Sequence, residues 1–118
     1  PGVALYDYWT LRPFVVALKK SRSNGQTMVL LYCVTPVSEE ECIGLMWGAL
    51  NYAHDIPEAD LVAFQDTVVL QDVANLESHN PKRLPLNPQA EFHLPSDRAS
   101  LAYRKWLRQL GVTYGTVR

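Results

Sequence analysis

The sequence predicts an α+β fold: an antiparallel sheet, a long helix packed on it, and a C-terminal helix. Three observations carry this reading. Four strand-like runs follow one another with turn residues between them, the hydrophobic period changes after Pro57, and an amphipathic repeat lies near the end.

The first run spans residues 3–9. The second, residues 14–20, leads toward Asn24-Gly25, and the third, residues 27–34, leads away from it. Asn-Gly between two β-rich runs predicts a hairpin, because both residues tolerate the positive φ that the turn demands. Pro36 ends the third run, since proline donates no ladder hydrogen bond. Glu39, Glu40 and Glu41 read as a solvated connection to the fourth run, residues 43–52. The order is that of an antiparallel meander, without internal repeats or low-complexity linkers.

From Pro57 to about His79 the spacing predicts the longer helix. Glu58 and Asp60 favour the positive end of its dipole, and Asn80-Pro81 stops it. Prolines 81, 85, 88 and 95 make residues 82–94 an extended segment wrapping over the body. Ser96 or Asp97 is then expected to cap a second helix whose apolar residues are Ala99, Ala102, Tyr103, Trp106, Leu107 and Leu110, with Gly111 at its C′ position. Its opposite face carries Arg98, Arg104, Lys105 and Arg108, read as a solvated face.

Composition excludes several classes of function. The chain has 118 residues, a formal net charge of -1 and 47% hydrophobic residues, so it should bury a core and present no strong field toward nucleic acid. No apolar run reaches the roughly 18 residues that span a bilayer, and no basic-then-apolar leader opens the chain. Cys33 and Cys42 lie too far from other cysteines and histidines for a redox pair or zinc knuckle, and are expected as buried thiols in a reducing compartment. Pro1 leads directly into an apolar segment without an initiator methionine, which reads as a cut edge.

One residue of the longer helix is out of place. At roughly 100° per residue from Leu61, the apolar stripe contains Phe64, Val68, Leu76, Val69 and Val62, and Asp72 falls at about 20°, in its middle. A buried carboxylate costs several kcal/mol unless it is paired, hydrogen-bonded or bound to a cation. Asp72 therefore reads either as an acceptor for a neighbouring donor, or as a metal ligand or general base. His54, His79 and His93 are too far apart to complete a metal site by local spacing, and read as surface or loop histidines. His79 shares the Asp72 face but lies two turns, about 10 Å, away.

The run Ala63-Phe64-Gln65-Asp66-Thr67-Val68-Val69-Leu70-Gln71-Asp72-Val73-Ala74-Asn75-Leu76-Glu77-Ser78 resembles the iron-ligand helix of Rieske non-haem iron oxygenases. Pro81, Leu84-Pro85-Leu86 and the stretch from Asp97 to Leu107 continue the resemblance, in the branch of vanillate O-demethylase oxygenase, dicamba monooxygenase and pheophorbide a oxygenase. It covers the chain from about Thr35 onward. The resemblance implies part of a helix-grip fold of the START/Bet v1 kind, with a substrate cavity between sheet and helix. It also implies a 2-His-1-carboxylate Fe(II) centre whose carboxylate is Asp72, with open positions for O₂ and substrate. Electrons would arrive from a Rieske [2Fe–2S] cluster fed by a reductase or ferredoxin.

The Cys-x-His and Cys-x-x-His pairs of that cluster, and the histidines of the triad, are not in this chain. What the resemblance implies is therefore a C-terminal portion of an oxygenase, inactive alone and lacking its N-terminal Rieske domain. The whole would act on an aromatic or other apolar cyclic substrate, as a homo-oligomer, a trimer by resemblance. It would be cytoplasmic, or organellar in a plant-type relative. Tyr103 and Trp106 match core anchors of the family, and family members tend to carry glutamine at the place of His79. The competing reading is a non-enzymatic helix-grip module in which Asp72 recognises a polar group on an apolar ligand.

Overall fold

The computed structural model describes residues 2–118. Four strands, β1 (Ala4–Arg12), β2 (Val15–Arg22), β3 (Thr27–Pro36) and β4 (Cys42–Leu50), form one sheet in the order β1-β2-β3-β4. The α+β prediction is borne out, and each strand begins within one residue of its expected start.

Local chemistry sets the register. Pro13-Phe14 joins β1 to β2, and Phe14 takes a positive φ of 66°, unusual for a residue with a side chain. In the antiparallel pairing of β1 with β2, Tyr6 lies opposite Lys20. The Lys20 ammonium sits 5.2 Å from the centre of the Tyr6 ring, and Tyr6 stacks on Tyr8 along the same face. At the next turn Gly25 has φ 84°, as the Asn-Gly pair predicts, and the Asn24 carboxamide oxygen accepts the Gln26 N–H at 3.1 Å. Asn51 braces this end of the sheet: its side chain accepts from Thr27 N at 2.7 Å and donates to the Gly25 carbonyl at 3.0 Å.

Contacts group the chain into two compact units. The first contains the chain up to Cys33 together with Leu45–His79, and the second contains Val34–Gly44 together with Asn80–Arg118.

In the first unit, helix α1 (Glu58–Glu77) starts at Pro57 with Glu58 and Asp60 in its first turn, as the charge pattern predicts. It ends at Ser78, whose hydroxyl donates to the Asn75 carbonyl at 2.7 Å. Only Leu61, Gln65 and Val69 are half-buried in α1, and its second half, from Leu70, is exposed throughout.

The second unit carries the buried core. Strand β5 (Leu84–Pro85) pairs in parallel with β6 (Thr116–Val117), and helix α2 (Arg98–Gln109) supplies Leu107, which has 0% of its surface exposed, beside Leu86 at 4%. Helix α2 ends in a Schellman motif. Gly111, at φ 71°, donates to the Arg108 carbonyl, and Val112 donates to the Leu107 carbonyl. Asp97 holds the N-cap position but does not cap the helix, because its carboxylate turns back to accept the Leu94 N–H at 2.8 Å.

Four further expectations need correction. Arg104 does not lie on a solvated face. It stands one turn before Leu107, is 8% exposed, and pairs with Glu91. Glu39 and Glu40 are exposed but are more than a connection, since both reach Arg83, at 2.8 and 3.7 Å. Cys33 is half-buried and Cys42 exposed, both free, because the strand that begins at Cys42 is itself largely exposed. Tyr103 and Trp106 meet edge to face, with ring centres 6.3 Å apart, but they are only half-buried, and Leu107 is the residue sealed from water.

The Arg104–Glu91 pair makes a stability prediction. Glu91→Ala leaves a buried guanidinium without its counter-charge, and is expected to destabilise the protein by about 1–3 kcal/mol. Thermal unfolding of the variant beside Arg104→Met measures it, the second change removing the buried charge as well. Equal stability of Glu91→Ala and the parent protein would show that the pair contributes nothing.

Candidate functional site

Asp72 lies in the exposed second half of α1, so its expected burial is not seen. The physical reason is on the same helix: the stripe residues Phe64, Val68 and Leu76 are exposed at 67%, 38% and 60%. The apolar stripe exists, but over this part of α1 the described residues do not cover it. The direction of the stripe is nonetheless clear. Leu61, Gln65 and Val69 lie at about 0°, 40° and 80° on the helical wheel, and Asp72, at about 20°, falls within that arc.

The Asp72 carboxylate forms no hydrogen bond or ion pair among the described residues. It is thus available to a cation, on a helix that fixes its Cα. Among the described residues, no three of His, Cys, Asp and Glu come together where a metal ion would fit. One oxygen donor fits one position of a 2-His-1-carboxylate centre.

The three histidines take different surroundings. His54 and His79 are exposed, as expected. His93 is half-buried in the second unit, and its Nε2 is buried without a hydrogen-bond partner among the described residues. Arg104 Nε and Nη1 share that condition. No sequence signal distinguished His93 from the other two, because it lies in a proline-rich stretch without helical or strand period. The second unit also has a cleft of about 340 Å³ lined by Leu86, Asn87, Arg108, Gly111, Val112 and Arg118. Asp72 belongs to the other unit and is not among the lining residues.

The antiparallel sheet and the helices make this an α+β protein, and comparison with known families takes the assignment further. Residues 5–113 match the family described as the vanillate O-demethylase oxygenase C-terminal domain. The chain belongs to this family, which bears out the resemblance read from the α1 sequence.

Two curated relatives are demethylases. The chain is 37% identical to the "Probable methylxanthine N7-demethylase" of Pseudomonas sp. (strain TJI-51) over 116 residues, covering 96% of this chain and 40% of that protein. It is 28% identical to the "Methylxanthine N1-demethylase" of Pseudomonas putida over 109 residues, covering 92% of this chain and 30% of that protein. The chain therefore spans less than half the length of these relatives. Among the described residues, no helix is long and apolar enough to cross a membrane.

Proposed function

We propose that this chain is the C-terminal part of the catalytic domain of a demethylating oxygenase, in which Asp72 is the carboxylate ligand of a mononuclear Fe(II). The observation that carries the reading is the Asp72 carboxylate, without a partner among the described residues and in line along α1 with Leu61, Gln65 and Val69, in a chain of the vanillate O-demethylase oxygenase C-terminal domain family. Two histidine ligands and a Rieske [2Fe–2S] cluster belong to the longer protein, and a reductase or ferredoxin supplies its electrons. When bound, Fe(II) provides the means of activating O₂.

The overall change is removal of a methyl group from oxygen or nitrogen on a flat cyclic substrate. One O₂ and two electrons with two protons yield the demethylated ring, formaldehyde and water. The role of this chain is to hold Asp72 at a fixed place on a rigid helix and to offer the aliphatic side chains of α1 as a wall for the ring.

The test is made on the full-length protein, loaded with iron and supplied with a reductant. Formaldehyde released in step with O₂ uptake, from a methoxyarene or an N-methyl heterocycle, is the expected result. Full iron at the mononuclear centre with no demethylation of either class would sink the reading.

A second measurement concerns the chain by itself. One carboxylate holds Fe(II) weakly, so residues 1–118 alone are expected to bind no stoichiometric iron and to show no turnover. Calorimetric titration with Fe(II) under anaerobic conditions checks this, and one tightly bound iron per chain would contradict it.

A further inference from the structure

We infer that the cleft of the second unit is a binding site for a small organic carboxylate, whose charged end is held by Arg108 and Arg118 and whose apolar body covers Leu86 and Val112. All of its lining residues belong to that unit, so the site stands independently of the reading of Asp72.

Three chain segments meet at the cleft, and backbone hydrogen bonds fix each of them. Where β5 pairs with β6, Leu84 N donates to the Gly115 carbonyl at 3.0 Å and Leu86 N donates to the Val117 carbonyl at 2.8 Å. This ladder brings Leu86-Asn87 to the same cleft as Arg118. The last turn of α2 supplies Arg108, and the Schellman motif that ends the helix supplies Gly111 and Val112. The volume of about 340 Å³ lies at the lower end of the range of about 300–1,000 Å³ in which small molecules bind.

The chemistry of the lining is one-sided. Leu86, Gly111 and Val112 bring no polar side-chain atom, Arg108 and Arg118 bring only donors, and no carboxylate is among the lining residues. The Asn87 carboxamide oxygen already accepts the Gln89 N–H at 2.9 Å, while its Nδ2 donates to none of the described residues. Neither guanidinium forms an ion pair or hydrogen bond among the described residues. A basic side chain in the last turn of a helix often serves the terminal carbonyls. Here the Trp106, Leu107 and Arg108 carbonyls accept from the backbone N–H groups of Leu110, Val112 and Gly111 instead. Two like charges in one cleft repel each other, and an anion between them removes that repulsion.

The lining also says what kind of anion fits. A guanidinium presents paired N–H donors whose spacing matches the two oxygens of a carboxylate. Leu86, 4% exposed, and the half-buried Val112 give the cleft an apolar floor. An inorganic anion meets the arginines and leaves that floor in water. An uncharged ring covers the floor and leaves the arginines unpaired. A carboxylate on a single ring or a short chain satisfies both.

The test is calorimetric titration of the full-length protein with cyclohexanecarboxylate, its uncharged analogue cyclohexanecarboxamide, and inorganic phosphate. The expected result is one saturable site per chain for the carboxylate, about tenfold or more tighter than for either other probe. Arg108→Met and Arg118→Met are each expected to weaken the carboxylate about tenfold. Both residues are exposed, so the unfolding temperature should barely move. Lys105→Met removes the same charge from an exposed place on α2 outside the lining, and is expected to leave the affinity unchanged. Absence of saturable carboxylate binding in the parent protein overturns the assignment. So does equal weakening in Lys105→Met, which would reduce the effect to net charge. Carboxamide or phosphate binding as tightly as the carboxylate also overturns it, since one of the two halves of the cleft would then contribute nothing.

Discussion

Asp72→Ala in the full-length protein is expected to abolish iron binding at the mononuclear centre and to lower demethylation by well over a hundredfold. Losing a residue that merely supports a metal ligand typically costs ten- to hundredfold in metal affinity or activity, and loss of a ligand itself must exceed that. The variant is expected to fold normally, because Asp72 is exposed and makes no hydrogen bond or ion pair among the described residues of this chain. Iron content and activity should therefore collapse while the unfolding temperature barely moves. Iron analysis, formaldehyde release and thermal unfolding on one preparation separate these effects. A variant with full iron and parental turnover would remove Asp72 from the site.

Leu107→Ala is expected to show the opposite pattern. Leu107 has no exposed surface and sits one turn after the buried Arg104, in the unit that holds the described core. Truncating a buried leucine removes transfer free energy and leaves a cavity, at a cost of about 2–5 kcal/mol. A large loss in denaturation midpoint is expected, with iron content per folded molecule unchanged. A cost below about 1 kcal/mol would show that this core collapses around the deletion.

Much of the fold could be read without coordinates, because its signals are local. The Asn24-Gly25 pair needs positive φ, Pro57 with Glu58 and Asp60 marks a helix start, and Gly111 marks a helix end. Each depends on a few adjacent residues. The errors fall where a side chain's surroundings come from distant parts of the chain. Arg104 lies on the same helix as Arg98, Lys105 and Arg108, and nothing in their spacing predicts which cation turns inward. Glu91, thirteen residues earlier, decides it by supplying the counter-charge. Asp97 is the local exception: Leu94 N, three residues earlier, competes with the helix N-terminus for the same carboxylate, and spacing does not decide between two nearby donors.

The candidate site divides in the same way. Helical periodicity alone determined that Asp72 shares an arc with the apolar residues of α1, since angle on a helix is set by position in the chain. Periodicity does not say how far along the helix that arc is covered, which depends on what other segments reach it. Only the tertiary structure decided that cover extends over Leu61, Gln65 and Val69 and stops before Asp72. That boundary leaves the carboxylate open to a cation.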